Sequence, residues 1–210
     1  MKFIIVIFLF QLSWLHGLMV ARFEFGYHTY EIYDDLLTWS DARDAAKSKS
    51  HKGASGYLTE VNSEEENIAL YNKLKLFDAN FTQKAADVGS RFVWLGASDL
   101  SNEGTWVWDN SGTNFYNSGF GPQRGPVDGL YSNWGTYQGA VLEPDGQIGQ
   151  NAAAIGLELW VNDLEMQWND IEEDNTLPYI VEYDVIPEGS NLALALGIGA
   201  ILFVCYHRHI

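Results

Sequence analysis

Apolar positions along the chain alternate between short β-like runs and two helical patches, a pattern that predicts an α+β domain. Residues 23 to 35 are aromatic and β-rich (Phe23, Phe25, Tyr27, Tyr30, Ile32, Tyr33) and predict a first strand or hairpin. Thr38-Trp39-Ser40-Asp41 reads as a capping box opening a helix to about Lys49, with Trp39, Ala42, Ala45 and Ala46 facing inward. A short strand is expected from Gly56 to Val61. Ser63-Glu64-Glu65-Glu66 is a second capping box, and three acids in a first turn suit the helix dipole. Leu70, Leu74 and Phe77, with Ile68 and Tyr71 beside them, give that second helix its apolar face. Phe92-Val93-Trp94-Leu95 and Thr105-Trp106-Val107-Trp108 predict buried strands around a Gly96–Gly104 turn, and Tyr179 to Tyr183 predicts a closing strand. Residues 109 to 150 hold many glycines and aromatics but little periodicity. A long irregular stretch inside a compact domain is often a functional loop. No internal repeat is present.

The two ends differ from this middle. Met1-Lys2 precedes an uncharged apolar run, residues 3 to 15, in the layout of a secretory signal; cleavage is placed at Ala21, with an uncleaved anchor as the alternative because Met19 fits the −3 position poorly. At the other end, Ile186-Pro187-Glu188-Gly189-Ser190-Asn191 leads into fifteen uncharged residues, Leu192 to Tyr206, and then His207-Arg208-His209. A fifteen-residue helix is about 22 Å long, against roughly 30 Å for a bilayer core. This tail resembles the PEP-CTERM sorting signals of Gram-negative bacteria, with Gly189 where a second proline is usual; an ordinary membrane anchor is the alternative. The expected division is a signal peptide at 1–21, one domain at 22–185 and a sorting or transmembrane segment at 186–210. The domain would be exported and held to the membrane through its tail or released from it.

Charge narrows the partners. The chain carries 12 Lys and Arg against 28 Asp and Glu, a net charge of −16, which disfavours nucleic acid and anionic membrane surfaces. Residues 125 to 207 contain no Lys or Arg but 13 Asp and Glu. Such a field of oxygen donors repels itself unless a cation compensates it, and Ca²⁺ suits it. The one cysteine, Cys205, lies in the tail, so the domain has neither a disulfide nor a thiol-based site. His28 and His51 are the only histidines between the two ends, and no nucleophile-elbow motif is present. A binding protein is therefore expected rather than an enzyme.

Two motifs carry the sharper chemistry: Glu143-Pro144-Asp145 and Trp168-Asn169-Asp170. With Trp94-Leu95-Gly96, Tyr131-Ser132-Asn133-Trp134, Glu64-Glu65-Glu66-Asn67 and Pro178-Tyr179-Ile180-Val181-Glu182, their order resembles the C-type lectin-like fold from about Phe25 to Glu182. The resemblance implies two helices, small antiparallel sheets and a long Ca²⁺-binding loop region. It also implies metal ligands at Glu143, Asp145, Asn169 and Asp170, with Gln150 or Asn151 where a further glutamate is usual. Glu143, Asp145 and Asn169 would also meet two vicinal sugar hydroxyls. Asp99 and Glu103 fall where the family has an accessory Ca²⁺. The family's disulfides are replaced, Ala46 and Val181 standing for one pair and Ala152 with Glu173 for the other.

Glu-Pro-Asp is a hybrid of the family's mannose-type and galactose-type loops, so the usual inference of sugar preference fails. Residues 117 to 130 look like an insertion. The expected function is a Ca²⁺-dependent carbohydrate-binding module for a glycan or polysaccharide. The alternative is a lectin-like scaffold that binds matrix or surface proteins, or serves an envelope or biofilm matrix, without sugar. Asn80-Phe81-Thr82 fits a glycosylation sequon, read as chance in a bacterial-looking chain.

Overall fold

The computed structural model describes residues 17–119, 123–138, 140–146, 149–160 and 165–184. The apolar runs at both ends, including the expected C-terminal anchor, and Cys205 lie outside them. Among the described residues no helix is long and apolar enough to cross a membrane. In chain order the elements are β1 (Met19–Phe25), β2 (His28–Leu37), α1 (Trp39–Lys47), β3 (Ser50–His51), β4 (Ala54–Ser55), β5 (Tyr57–Leu58) and α2 (Glu64–Leu76). There follow β6 (Phe92–Ser98), β7 (Thr105–Trp108), β8 (Asn114–Asn117), β9 (Gly125–Pro126), β10 (Thr136–Tyr137), β11 (Ala140–Val141), β12 (Ala152–Gly156), β13 (Trp168–Ile171) and β14 (Leu177–Asp184).

Both helices start where their caps require. Thr38 Oγ1 accepts from the Asp41 amide at 3.2 Å, and Ser63 Oγ accepts from the Glu66 amide at 3.2 Å. The buried face of α2 differs from the apolar pattern. Leu70 and Leu74 are buried as expected, but Ile68 is exposed, and Glu66 and Asn67 are buried in its place. Both polar residues are satisfied: Glu66 accepts from Tyr30 Oη and from the Asn62 amide, and Asn67 Oδ1 accepts from Trp168 Nε1 at 2.8 Å. A buried polar side chain with its partners supplied costs little, and it fixes the helix's rotation.

One ten-stranded sheet runs β1-β2-β14-β6-β7-β8-β9, with β12 pairing both β6 and β13, and β5 pairing β14. The first hairpin turns on Gly26 and Tyr27, pairing Phe25 with His28. Because β1 begins at Met19, cleavage at Ala21 would leave Arg22–Phe25 of it. The central strands are apolar on both faces. Val93 and Leu95 of β6, with Ile180 of β14, join one core; Phe92 and Trp94, with Tyr179 and Val181, join the other.

Strand β12 has no signal in the apolar pattern. Ala152-Ala153-Ala154-Ile155-Gly156 has low β propensity, yet all five residues are buried between β6 and β13. Alanines from this strand enter both cores, and their small volume leaves room for the tryptophans there.

Two expected replacements for disulfides fare differently. Ala46 and Val181 are both fully buried in one core, where Gly56 lets them approach. Ala152 instead pairs with Ile171, and Glu173 is reached by Asn151, whose Nδ2 donates to Glu173 Oε2 at 3.2 Å.

Gly96 closes the contact between β6 and the β5 end. Its amide donates to Thr59 O at 2.8 Å, and a Cβ there would lie 2.3 Å from Leu58 O, a backbone atom that cannot step aside. Gly96→Ala is therefore expected to cost on the order of 3 kcal/mol or more. A thermal melt should show a fall of at least about 8 °C; an unchanged melting temperature would show that β5 and β6 are not in this register.

Candidate metal centre

The site is assembled by Trp168. Its amide donates to Asn133 O at 2.8 Å, its carbonyl accepts from the Gly135 amide at 2.9 Å, and its indole bonds to Asn67 on α2. Its ring packs edge-on against Trp108, Trp134 and Tyr131, with centroids 5.7–5.8 Å apart. Strand β13 is thus fixed from both sides, and with it the next two residues, Asn169 and Asp170, both buried.

The opposing loop is tied to the same anchor. Gly135 O accepts from the amides of Leu142 (2.8 Å) and Glu143 (3.1 Å). The Glu143–Pro144 peptide is cis. Arg124 Nη2 donates to Pro144 O at 2.9 Å and, at the limit, to Leu142 O at 3.5 Å. Glu143, Asp145 and Asp170 each offer a carboxylate oxygen, and these lie within 4.8 Å of one another.

Two of these carboxylates, Asp170 and Glu143, are disfavoured as ions. Burial, then the charges of Glu143 and Asp145, push Asp170 up to about 8. Burial, then the Asp145 charge, also raises Glu143, with Arg124 acting in the opposite sense. Asp170 Oδ2 accepts from the Gly146 amide at 3.4 Å, but Oδ1 is buried without a hydrogen-bond partner among the described residues. A buried orphaned acceptor beside two other carboxylates fits a hard cation, which needs six to eight oxygens and tolerates irregular geometry.

A cavity of about 420 Å³ opens over these groups, lined by Leu142, Glu143, Asp145, Gln150, Trp160 and Asn169, with Asp87 and Val88 at one side. It has an apolar wall and a polar floor, as a small polyhydroxylated ligand requires.

No protein-family model matches the chain. Over 162 residues, 73% of its length, it is 32% identical to Halomucin of Haloquadratum walsbyi, of which it spans 1%. Over 86 residues, 41% of its length, it is 30% identical to a snaclec coagulation factor IX/factor X-binding protein of Echis carinatus, of which it spans 58%. The chain thus spans less than two thirds of either relative. Among solved structures it is similar to the C-type lectin CEL-I of Cucumaria echinata, with a TM-score of 0.56 at 19% identity, covering 80% of this chain and 97% of that one. The chain has a C-type lectin-like fold.

Within this lectin-like domain, Glu143, Asp145 and Asn169 line one cavity, and a carboxylate oxygen of Asp170 lies within 4.8 Å of those of Glu143 and Asp145. Gln150 lines the same cavity, but its Nε2 donates to Asp87 Oδ2 at 3.0 Å. Asp87 had no motif to mark it. It also accepts from the Glu172 amide and from Asn175 Nδ2, and so pins the 85–91 loop to the turn after β13.

The two residues expected at an accessory site differ in burial. Asp99 is buried, and its Oδ2 accepts from the Gly104 amide at 2.9 Å, closing the turn between β6 and β7. Burial and the neighbouring Glu103 push it up to about 6. Glu103 itself is exposed, and among the described residues neither belongs to a cluster of three metal-ligating groups.

The other such cluster is His28, Glu182 and Asp184. Glu182 already accepts from Tyr57 Oη, Thr59 Oγ1 and the Glu60 amide, and His28 Nδ1 lies 2.8 Å from it. Its neighbour Glu182 raises the His28 pKa. That is a structural ion pair with its acceptor filled.

The raised Asp170 has a consequence for the metal-free protein. Its folded pKa lies above its unfolded one, so its contribution is fully present below about pH 4 and is lost as pH rises towards about 8. Asp170→Asn should therefore be more stable than the wild type at pH 8 in chelator, on the order of 2–4 kcal/mol, and close to equal at pH 4. Denaturant melts at the two pH values check this; a variant less stable at pH 8 would mean that the carboxylate is not repelled there.

Proposed function

We propose that the domain is an exported, surface-anchored module that binds carbohydrate through Ca²⁺. The observation that carries this reading is the convergence of Glu143, Asp145 and Asp170, with the unpartnered Asp170 Oδ1 buried among them, at a cavity that Asn169 also lines. The likeness of the fold to a solved C-type lectin supports it, as do the apolar runs at both ends of the sequence.

Each residue has a distinct task. Glu143, Asp145 and Asp170 would hold the ion as carboxylates, and Asn169 would add its amide oxygen. Bound there, Ca²⁺ would offset two of the three carboxylate charges and leave coordination positions for two ligand hydroxyls. Carboxylate oxygens accept the protons of those hydroxyls, and the Asn169 amide donates to their lone pairs. Trp160 and Leu142 supply the apolar wall for the sugar's C–H face. Gln150, held by Asp87, shapes the rim.

Calorimetric titration with Ca²⁺ should give saturable binding that Asp170→Ala abolishes, together with Ca²⁺-dependent retention on glycans. Because Asp170 is protonated below about pH 8 in the metal-free protein, binding must release a proton. Affinity should then rise by up to about tenfold per pH unit between pH 6 and 8 and level off above. Failure to bind at millimolar Ca²⁺ would overturn the metal reading; glycan retention unchanged in Asp170→Ala would overturn the coupling of metal to sugar.

A further inference from the structure

The metal-side cavity, of about 420 Å³, has a charge that the ion does not use up. Asp87, Glu143 and Asp145 put three carboxylates in its lining, and no Lys, Arg or His is among the described residues there. Asp170 stands against Glu143 and Asp145. One divalent ion among those three leaves a negative charge, and Asp87 adds another. Gln150 and Asn169, the other polar side chains of the lining, are neutral. All of these groups belong to one cavity of small-ligand size. A ligand in it faces the ion on one side and Asp87 on the other.

Asp87 is held by neutral donors alone. Its Oδ2 accepts from Gln150 Nε2 at 3.0 Å and from the Glu172 amide at 3.2 Å, and its Oδ1 accepts from Asn175 Nδ2 at 2.9 Å. These bonds orient the carboxylate without cancelling its charge. Oδ1 takes a single donor, and a carboxylate oxygen has room for two. The basic residues that flank this loop are committed elsewhere. Lys84 Nζ lies 3.2 Å from Glu158 Oε1, and Arg91 Nε lies 2.9 Å from Glu158 Oε2. Asp87 is thus exposed, fixed in direction and still charged at the edge of the cavity.

We propose that this cavity selects sugars that carry a free amino group, whose protonated form donates to the Asp87 carboxylate while neighbouring ring hydroxyls meet the ion. The inference rests on the carbohydrate-binding reading and names the class of glycan it selects. Charge-assisted bonds between an ammonium and a carboxylate are about twice as strong as those of a neutral hydroxyl. A 2-amino-2-deoxyhexose keeps its C3 and C4 hydroxyls as a vicinal pair, so the contact with the ion is retained. N-acetylation removes the positive charge and keeps the ring, which separates charge from shape. The long-range field of a chain with net charge −16 acts in the same sense, drawing a cationic ligand in. An ion pair at an exposed carboxylate gives at most a few-fold in affinity, and salt screens it. Preference for the amine should therefore fall as salt rises.

The test is a competition assay on the full chain at saturating Ca²⁺ and about pH 7, where an amine with a pKa near 7.7–8.0 is mostly protonated. The probes share one hexose frame: the neutral hexose, its 2-amino-2-deoxy form and the N-acetylated amine. The wild type should bind the free amine about fourfold tighter than either neutral form. Raising salt to about 0.5 M should bring that ratio below roughly twofold. Asp87→Asn, which keeps an acceptor for Gln150 Nε2, should lower the ratio as far at low salt. Ala86→Lys should do the same, because it adds a cation at an exposed neighbour and leaves every Asp87 contact in place. The ratio is read within each protein, so a general loss of affinity cancels. If a variant binds no form, the salt dependence of the wild type decides. Equal binding of all three forms by the wild type, or a ratio that survives salt and both variants, would overturn the amine selectivity alone. Equal competition by Nα-acetyl-lysine amide, an amine without a ring, would overturn the assignment to a sugar. Failure of the carbohydrate reading looks different: no sugar binds with or without Ca²⁺, and the amine site falls with it.

Discussion

The architecture of the site depends on how Trp168 is held. Its backbone is shared between Asn133 and Gly135, its indole N–H reaches Asn67 on α2, and its ring closes a cluster with Trp108 and Trp134. Gly135 then passes the constraint to the opposite loop by accepting from Leu142 and Glu143. One residue thus sets the separation between Asn169-Asp170 and Glu143-Pro144-Asp145. Dense aromatic packing suits this role because it is rigid and tolerates little displacement.

A domain without disulfides must cross-link itself by other means, and this one uses carboxylates, two of them buried (Glu182 and Glu31) and one exposed (Asp87). Glu182 gathers Tyr57, Thr59 and the Glu60 amide, joining β14 to the segment after α1. Glu31 accepts from Tyr33, Tyr183 and Arg22; although burial alone would raise its pKa, those hydrogen bonds outweigh it and hold the group low. Asp87 ties its loop to Gln150, Glu172 and Asn175. Each is an acceptor whose oxygens are filled, so desolvation is offset locally. Asp170 contrasts with all three. It is deeply buried, but one oxygen has no partner among the described residues and two like charges stand beside it. That difference sets Asp170 apart from carboxylates whose role is to hold the fold.

Arg124 shows how a segment with no regular pattern can hold a distant loop. It comes from a stretch without periodicity, yet its guanidinium donates to Pro144 O between Glu143 and Asp145 and also lines a cavity with Trp134 and Val141. This cation in an acidic half of the chain lowers the local repulsion at Glu143.

Features that act over a few residues were legible in the chain before it folded. Thr38 and Ser63 cap their helices as written, the β6, β7 and β14 runs are strands, and Glu143-Pro144-Asp145 with Trp168-Asn169-Asp170 marked residues of the carboxylate cluster and its cavity. Capping and periodicity are local interactions, so local sequence suffices to show them. Contacts between distant segments settled the remainder. The alanine-rich β12 is a strand because β6 and β13 flank it, against its own propensity. Ile68 faces out because its neighbour Asn67 is needed inside, where it meets Trp168, 101 residues away. Gln150 bonds to Asp87, 63 residues away, and Arg124 reaches Pro144 from a stretch with no periodicity. Such pairings are set by the path of the backbone through the core, and the residues that make them carry no mark of their partners in the chain.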